Sequence, residues 1–170
     1  WMVTSIGSEP TIIGAIMGSS AAAKSVMNGM YTPSFLVPIT DVGNPYVKQM
    51  KTLVEAAGLP WNFYTFYGVN TAYVMSQAMK AAGPNLTRKG LINALQTQSK
   101  NFRSAAAVPF VVTKTSHQGL AGYWMGQYDS AGNLVRLGKA NQVFLAGNSM
   151  NSKAKVGTFK QPAPTSKLLP

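Results

Sequence analysis

FYGVNTAYVMSQAMKAAGPNLTRKGLINAL, residues 66–95, is the stretch that decides the fold. Its apolar residues recur at helical spacing, which predicts a helix that starts near Asn70 or Thr71 and ends at Gly83. Thr87 is a good N-cap, so a second helix is expected directly after it. Two consecutive helices joined by a tight turn therefore occupy the middle of the chain.

The segment upstream of these helices predicts a crossover strand and a further helix. Asn44 is a good N-cap, Pro45 occupies the first helical position, and Gly58 ends the helix. Residues 30–39 are extended, but their two prolines remove donors from a strand ladder. We therefore expect this extended segment at an edge or in a connection between two parts of the fold.

The first thirty residues predict a strand followed by a helix. Residues 2–6 form a short β-branched run that ends in a loop before Pro10. One helix then begins at Pro10 or Thr11 and continues to a stop at Gly29. Strand, loop and helix in this order are typical of an α/β unit.

After residue 98 the apolar period changes from that of a helix to that of a strand. Strands are predicted at 110–113, 122–128, 133–137 and 143–146. The Asp-Ser-Ala-Gly turn between the second and third of these predicts a β-hairpin. The basic, proline-containing tail at 147–170 is expected to be poorly ordered or to dock on another surface.

Residue supply excludes several chemistries. The chain has 170 residues, no cysteine and a single histidine, with only four acidic residues. Disulfides and thiol nucleophiles are therefore absent, and few side chains remain that could ligate a metal or form a Ser-His-Asp triad. We expect no enzymatic activity, no cofactor and no metal. The longest uncharged apolar run is too short and too polar for a membrane span.

The net charge of +11 raises nucleic acid as a partner. The cations are scattered along the chain, however, and no helix-turn-helix or RNA-binding signature gathers them on one element. The aromatic residues lie mostly inside periodic segments, where core packing explains them. We therefore expect no nucleic-acid partner, and a basic nucleic-acid-binding domain ranks as the last alternative.

The residues at 66–95, together with SHQGLAGYWMGQYDSAGNLVRL at 116–137, resemble the C-terminal portion of a known family. They are similar to the type I periplasmic solute-binding proteins of branched-chain amino acid ABC transporters, the leucine-binding protein family. The first stretch resembles the family's Tyr-Gly helix and Leu-Thr-Arg turn, and the second its His-Gln-Gly and closing hairpin. Val69 and Asn70 depart from the pattern, which has Tyr and Asp there. These departures leave room for a more apolar or aromatic solute.

The resemblance implies an α/β fold in which two Rossmann-like lobes close on a ligand, with this chain as the C-terminal half. It divides the chain as follows: 1–30, a second-lobe segment; 31–39, the hinge crossover strand; 40–108, a first-lobe segment with helices; 109–146, strands and a hairpin that return to the hinge and second lobe; 147–170, the tail. It also implies that exposed sheet edges and helix faces are covered by the missing N-terminal half of the same protein or by a second copy.

Ligands of α/β folds bind where strand ends run into helix N-termini. Two loops have this form, and they supply the candidate ligand-binding residues Ser8, Glu9, Tyr64, Tyr67 and Asn70. In the family an acid pairs the ammonium of an amino-acid ligand, and Glu9 is the acid in a suitable loop. Each candidate has a structural alternative: Glu9 as a first-turn acid, Tyr67 as a packed aromatic, Asn70 as an N-cap.

The resemblance implies the substrate-binding component of an ABC importer that takes a small carboxylated or aromatic/apolar, amino-acid-like solute between its lobes. Its partners are then the solute and the transporter permease. Its location is periplasmic or extracellular in a bacterium, either free or as a membrane-tethered lipoprotein. A ligand-sensing receptor or regulator with the same fold is the alternative function.

Overall fold

A computed structural model of the chain describes residues 1–4, 9–146 and 153–165. The helices in these ranges are α1 (Pro10–Met17), α2 (Ser20–Met27), α3 (Pro45–Ala56), α4 (Phe63–Ala82) and α5 (Arg88–Gln98). The strands are β1 (Tyr31–Ser34), β2 (Gly122–Tyr128), β3 (Leu134–Arg136), β4 (Gln142–Leu145) and β5 (Lys155–Thr158). In the described ranges no helix is both long and apolar enough to cross a bilayer.

β2 is the strand on which the sheet is built. It pairs antiparallel with β1 and β3 at its end and with β4 at its start, and β4 in turn pairs with β5. β1 also bridges in parallel to Met2, through the Val3 N–H donating to the Tyr31 carbonyl at 3.0 Å. This bridge lies in the strand predicted at 2–6, of which residues 5 and 6 lie outside the described ranges.

The single helix predicted from Pro10 to Gly29 is wrong, because the chain forms two helices there. Gly18 ends α1 in the left-handed region, with φ of +67°. Ser19 then caps α2 by accepting a hydrogen bond from the Ala22 N–H at 3.3 Å. A glycine adopts this backbone conformation at no steric cost. The apolar residues keep their helical spacing on both sides of Gly18, although the helix itself ends there.

The predicted start of α4 near Asn70 or Thr71 is also wrong. The helix begins at Phe63 and is 20 residues long. Asn62 caps it by accepting from the Tyr64 and Thr65 N–H groups, and the Thr65 hydroxyl accepts from the Asn62 N–H. This reciprocal capping box turns the aromatic run into the first two turns of a helix.

α3 and α5 begin at the predicted caps. Asn44 accepts from the Tyr46 N–H at 3.0 Å, and Thr87 accepts from the Gly90 N–H at 3.0 Å. Ala57, the C-cap of α3, is exposed, whereas Tyr46 in its first turn is buried. The other buried residues of α3 are Val47, Met50 and Val54, which recur at the three- and four-residue spacing of one helix face.

The hairpin of β2 and β3 and the strand β4 confirm their predictions, whereas the strand predicted at 110–113 is wrong. That segment forms one bridge, Phe110 to Leu120, and then a turn in which the Ser116 carbonyl accepts from the Thr113 N–H at 2.8 Å. It is a loop that folds back before β2, so its alternating pattern does not belong to a ladder.

Trp124 of β2 is the largest side chain that is fully buried in the core. Its indole N–H donates to the Leu36 carbonyl at 2.9 Å. The buried cluster around it joins residues of α3, α4, the crossover segment and the loop at 105–108. The core therefore lies where the crossover segment, defined here as residues 31–40, meets β2 and the helices.

The described residues of the tail dock on the chain's own helices. After β5, the Gln161 Oε1 accepts from the Asn44 side-chain amide at 2.9 Å. The Tyr46 hydroxyl donates to the Pro162 carbonyl at 2.8 Å, and the Tyr73 and Thr165 hydroxyls lie 2.9 Å apart. Burial raises the pKa of Tyr46 to about 12, so this phenol stays protonated as a donor.

The Trp124→Phe variant is expected to lower the free energy of unfolding by about 2 kcal/mol. The Leu36 carbonyl loses its indole donor inside the core, and the smaller ring leaves unfilled space. Urea unfolding measures the change. Tyr123→Phe on the same strand is the matched control, because its ring stacks on Phe144 without a hydroxyl partner among the described residues. Equal effects of the two substitutions would contradict the role given to Trp124.

Candidate functional site

A cavity of about 240 Å³ lies where two helix N-termini approach the crossover segment. Residues 9–11 at the start of α1, 37–40 of the crossover segment, 61–63 at the start of α4 and 132–134 of the hairpin contribute its walls. We call it the first cavity. Its position joins segments that lie far apart in sequence, as a ligand site between two structural units does.

Glu9 is the acidic side chain in the wall of the first cavity. Its Oε2 accepts from the Thr11 N–H at 2.8 Å and from the Ile12 N–H at 3.1 Å, and its Oε1 accepts from the Thr11 hydroxyl at 3.2 Å. Glu9 is only 3% exposed. It is therefore the N-cap of α1, which replaces the alternative of a first-turn acid.

The Glu9 carboxylate has no cationic partner among the residues that the structure describes. The positive end of the α1 dipole and three donors stabilise its charge. A carboxylate has about four acceptor sites, so Oε1 retains the capacity to accept a further donor. Glu9 therefore presents a buried negative charge to the cavity.

The start of α4 supplies the opposite wall, which the sequence analysis did not identify. The Trp61 indole N–H donates to the Ile39 carbonyl at 3.3 Å, and its ring lies 5.2 Å from that of Phe66. Asn62 and Phe63 continue the wall. The signal in the sequence is the Asn-x-x-Thr spacing of the capping box, which the surrounding aromatic residues obscure.

The predicted site residues do not all come together. Glu9 lines the first cavity, whereas Tyr67 and Asn70 line another cavity of about 370 Å³ beside the loop at 118–120. Tyr64 lines neither, and its ring packs edge-on against Phe63. Ser8 lies outside the described residues.

Asn70 lies inside α4 and anchors a loop. Its Oδ1 accepts from the Ala105 N–H at 2.7 Å and from the Ser104 hydroxyl at 3.1 Å. The Ser104 Oγ in turn accepts from the Ala106 N–H at 3.0 Å. The alternative of an N-cap is therefore wrong, because Asn62 caps the helix. Asn70 instead fixes the loop that pairs with the crossover segment through the Val37 N–H and the Ala105 carbonyl.

Tyr67 and His117, the single histidine of the chain, have surface positions. Tyr67 is exposed on one side and packs edge-on against Phe35 at 5.8 Å, beside a stacked Phe63. His117 is an exposed loop residue whose Nε2 lies 3.3 Å from the Gln96 side-chain amide. The described residues contain no group of three or more His, Asp or Glu that could hold a metal.

Comparison with known proteins identifies the family. A profile of periplasmic binding proteins matches residues 9–133, which is most of the chain. The chain belongs to the periplasmic binding protein family. The proteins of this family that match are solute-binding proteins and not enzymes. No curated protein matches the chain.

Two solved structures share the fold. The first is a substrate-binding periplasmic protein from Ralstonia solanacearum, with 20% identity and a TM-score of 0.63 over 80% of this chain and 37% of that one. The second is a branched-chain amino acid ABC transporter protein from Thermus thermophilus with bound valine, with 17% identity and a TM-score of 0.59 over 77% of this chain and 36% of that one. The chain thus spans little more than a third of either protein. The predicted fold class, part of a type I periplasmic binding protein fold, is confirmed.

The Asn70→Ala variant is expected to lower the free energy of unfolding by about 1–3 kcal/mol, because the buried Ala105 N–H loses its acceptor. Chemical denaturation measures the change. Thr71→Ala on the same helix is the control, since its exposed hydroxyl bonds, within the described part of the chain, only to the Tyr67 carbonyl of the preceding turn. A change of less than about 0.5 kcal/mol in Asn70→Ala, which is typical of neutral surface substitutions, would contradict the anchoring role.

Proposed function

We propose that this chain is part of the substrate-binding component of an ABC importer and that it binds a small amino-acid-like solute in the first cavity. The observation that carries the proposal is the buried Glu9 carboxylate, which lines a cavity and has no cation to pair with it among the described residues. A buried carboxylate next to a cavity favours a ligand with an ammonium group.

The proposal divides the chain between two lobes. Residues 1–30 belong to the second lobe and residues 40–108 to the first, with residues 31–39 as the hinge strand between them. Residues 109–146 return to the hinge through β2, whose pairing with β1 supports a shared position at the hinge. The cavity then lies at the base of the cleft, because its walls come from α1, α4 and the crossover segment.

The apolar groups of the first cavity suit the rest of such a solute. Val37, Pro38, Ile39 and Phe63 surround the polar end that Glu9 provides. A branched or aromatic side chain placed against these groups loses water contact and gains about 25 cal/mol per Å² of buried apolar area. The Thermus thermophilus neighbour has bound valine, which is a solute of this kind.

Glu9 is the candidate that the proposal retains at the first cavity. Ser8 precedes it in the chain and is proposed as a second contact. Tyr64, Tyr67 and Asn70 remain proposals for a ligand that extends along α4 toward the cavity beside Tyr67. Family membership supports a periplasmic location, and the partner proposed for the loaded protein is the transporter permease.

A thermal-shift screen of the full-length protein tests the proposal. Branched-chain and aromatic amino acids are expected to raise the melting temperature, since a ligand at a hundredfold excess over its dissociation constant stabilises the native state by about 2.7 kcal/mol. In the Glu9→Gln variant the same amino acids are expected to give a smaller shift. No shift with any of these amino acids would contradict the proposal.

Glu9→Gln is expected to weaken amino-acid binding about 10- to 100-fold, because a charge-assisted hydrogen bond is worth about 1.5–3 kcal/mol. The glutamine retains an oxygen that can cap α1, so the loss of binding is separated from a loss of folding. Glu55→Gln is the control, because Glu55 is exposed and pairs with Lys51 on α3 at 3.7 Å. Unchanged affinity in Glu9→Gln would remove Glu9 from the site.

A further inference from the structure

A second cavity, of about 420 Å³, adjoins the first and has a cation in its wall. The two cavities share Val37, Pro38, Thr40 and Leu134. We call it the Arg136 cavity, after the guanidinium that lines it together with residues of the hairpin, the start of α3 and the segment after β5. Glu9 and the start of α4 do not contribute to it.

Arg136 is held in place by contacts that leave part of its charge unpaired. The guanidinium carbon lies 4.5 Å from the centre of the Trp124 ring, and Nη1 donates to the Gln142 carbonyl at 3.0 Å. No carboxylate in the described part of the chain forms an ion pair with it. Burial lowers the pKa of Arg136 below its usual range, yet an arginine stays protonated in proteins. A partly desolvated cation with unused donors therefore lies in the wall.

Two side-chain amides in this wall, those of Asn44 and Gln161, are already hydrogen-bonded. The Asn44 amide donates to Gln161 Oε1, and Gln161 Nε2 donates to the Ser104 and Ala106 carbonyls. The Thr40 hydroxyl and the Asn141 side chain form no hydrogen bond with any described residue. Arg136, Thr40, Asn141 and the Asp41 carboxylate are thus the groups that remain for polar contacts, and Arg136 is the cation among them.

We propose that the Arg136 cavity binds a small monocarboxylate with an apolar body, and that Arg136 is its counter-ion. A guanidinium presents paired N–H donors that match the two oxygens of a carboxylate. Val37, Pro38, Leu134 and Phe159 supply apolar walls for the remainder of the ligand.

The charges in the wall select a monoanion. The guanidinium of Arg136 attracts a carboxylate, whereas Asp41 in the same wall repels negative charge, and repels a dianion about twice as strongly as a monoanion. A phosphate monoester, which carries close to two charges at neutral pH, is therefore disfavoured. The inference goes beyond the proposed solute site, because the residues that recognise the ligand differ in charge and in position.

Titrations of the full-length protein followed by the indole N–H signals of its tryptophans test the inference. The probes are 3-methylbutanoate and benzoate, with their neutral amides as controls. Trp124 stacks on Arg136 and Trp61 lines the first cavity, so each indole reports on one cavity. Trp124→Phe and Trp61→Phe assign the two signals. Carboxylates are expected to shift the Trp124 signal in a saturable manner, and the amides are expected not to.

Arg136→Gln is expected to weaken carboxylate binding at least tenfold, and Arg136→Lys to an intermediate degree, because lysine keeps the charge but loses the paired donors. Lys139→Gln is the matched control: it removes the same charge from an exposed position in the adjoining turn. If Lys139→Gln weakened carboxylate binding equally, the loss of one positive charge anywhere on the surface would explain the effect, and the inference would be overturned. A Trp124 signal that does not respond, a response as large with the amides, or inorganic phosphate that binds as tightly as the carboxylates would also overturn it.

These outcomes are separate from a failure of the proposed function. An amino acid that shifts the Trp61 signal and depends on Glu9 supports the first cavity, whatever happens at Trp124. A carboxylate that shifts the Trp124 signal and depends on Arg136 supports the Arg136 cavity, even when no amino acid binds. If Arg136→Gln does not fold, Arg136→Lys and the response of the unsubstituted protein decide the inference.

Discussion

The hydrogen bond from the Trp124 indole to the Leu36 carbonyl is the constraint on which the described structure depends. Trp124 stands opposite Ser34 in the register of β1 and β2, and its side chain is fully buried. A slip of one residue in this register would turn the indole out of the core and leave the carbonyl without its donor. The register of the two strands and the packing of the core therefore specify each other.

The crossover segment is held from other directions as well. On one side the Ala107 N–H donates to the Phe35 carbonyl at 2.7 Å and the Val37 N–H donates to the Ala105 carbonyl at 3.1 Å. Asn70 fixes that loop from within α4, and Trp61 donates to the carbonyl of Ile39. Both cavities thus share a wall whose backbone is paired before any ligand arrives. A preformed wall lowers the ordering cost that a ligand has to overcome.

The helices that the sequence predicts correctly are those whose ends are set by contacts between residues close together in the chain. Asn44 and Thr87 each cap a helix through a contact within three residues, so the local order of residues predicts both helix starts. The capping box of Asn62 is equally local, but it stands inside an aromatic run whose residues favour strands as readily as helices. Gly18 interrupts an apolar period without altering it, so periodicity could not reveal the break between α1 and α2.

The candidate site was readable only in part for the same reason. Glu9 could be singled out because a loop between a predicted strand and a predicted helix is a local feature. The partners of Asn70 lie 34 and 35 positions further along the chain, and no local sequence pattern predicts a contact over that separation. The stacking of Arg136 on Trp124 depends on the hairpin register, which exists only once β2 and β3 have paired. Side chains that line cavities through tertiary contacts are therefore the ones that sequence reasoning misses.

The choice of residue at the start of α1 connects the fold with the proposed function. Ser, Thr, Asp and Asn are the usual N-caps, and a serine or an asparagine would satisfy the first N–H groups without any charge. Glu9 satisfies the same donors and also places a carboxylate in the wall of the first cavity. The helix dipole stabilises that charge during folding without neutralising it by an ion pair. A cap that retains its charge in this way suits a site whose ligand brings the opposite charge.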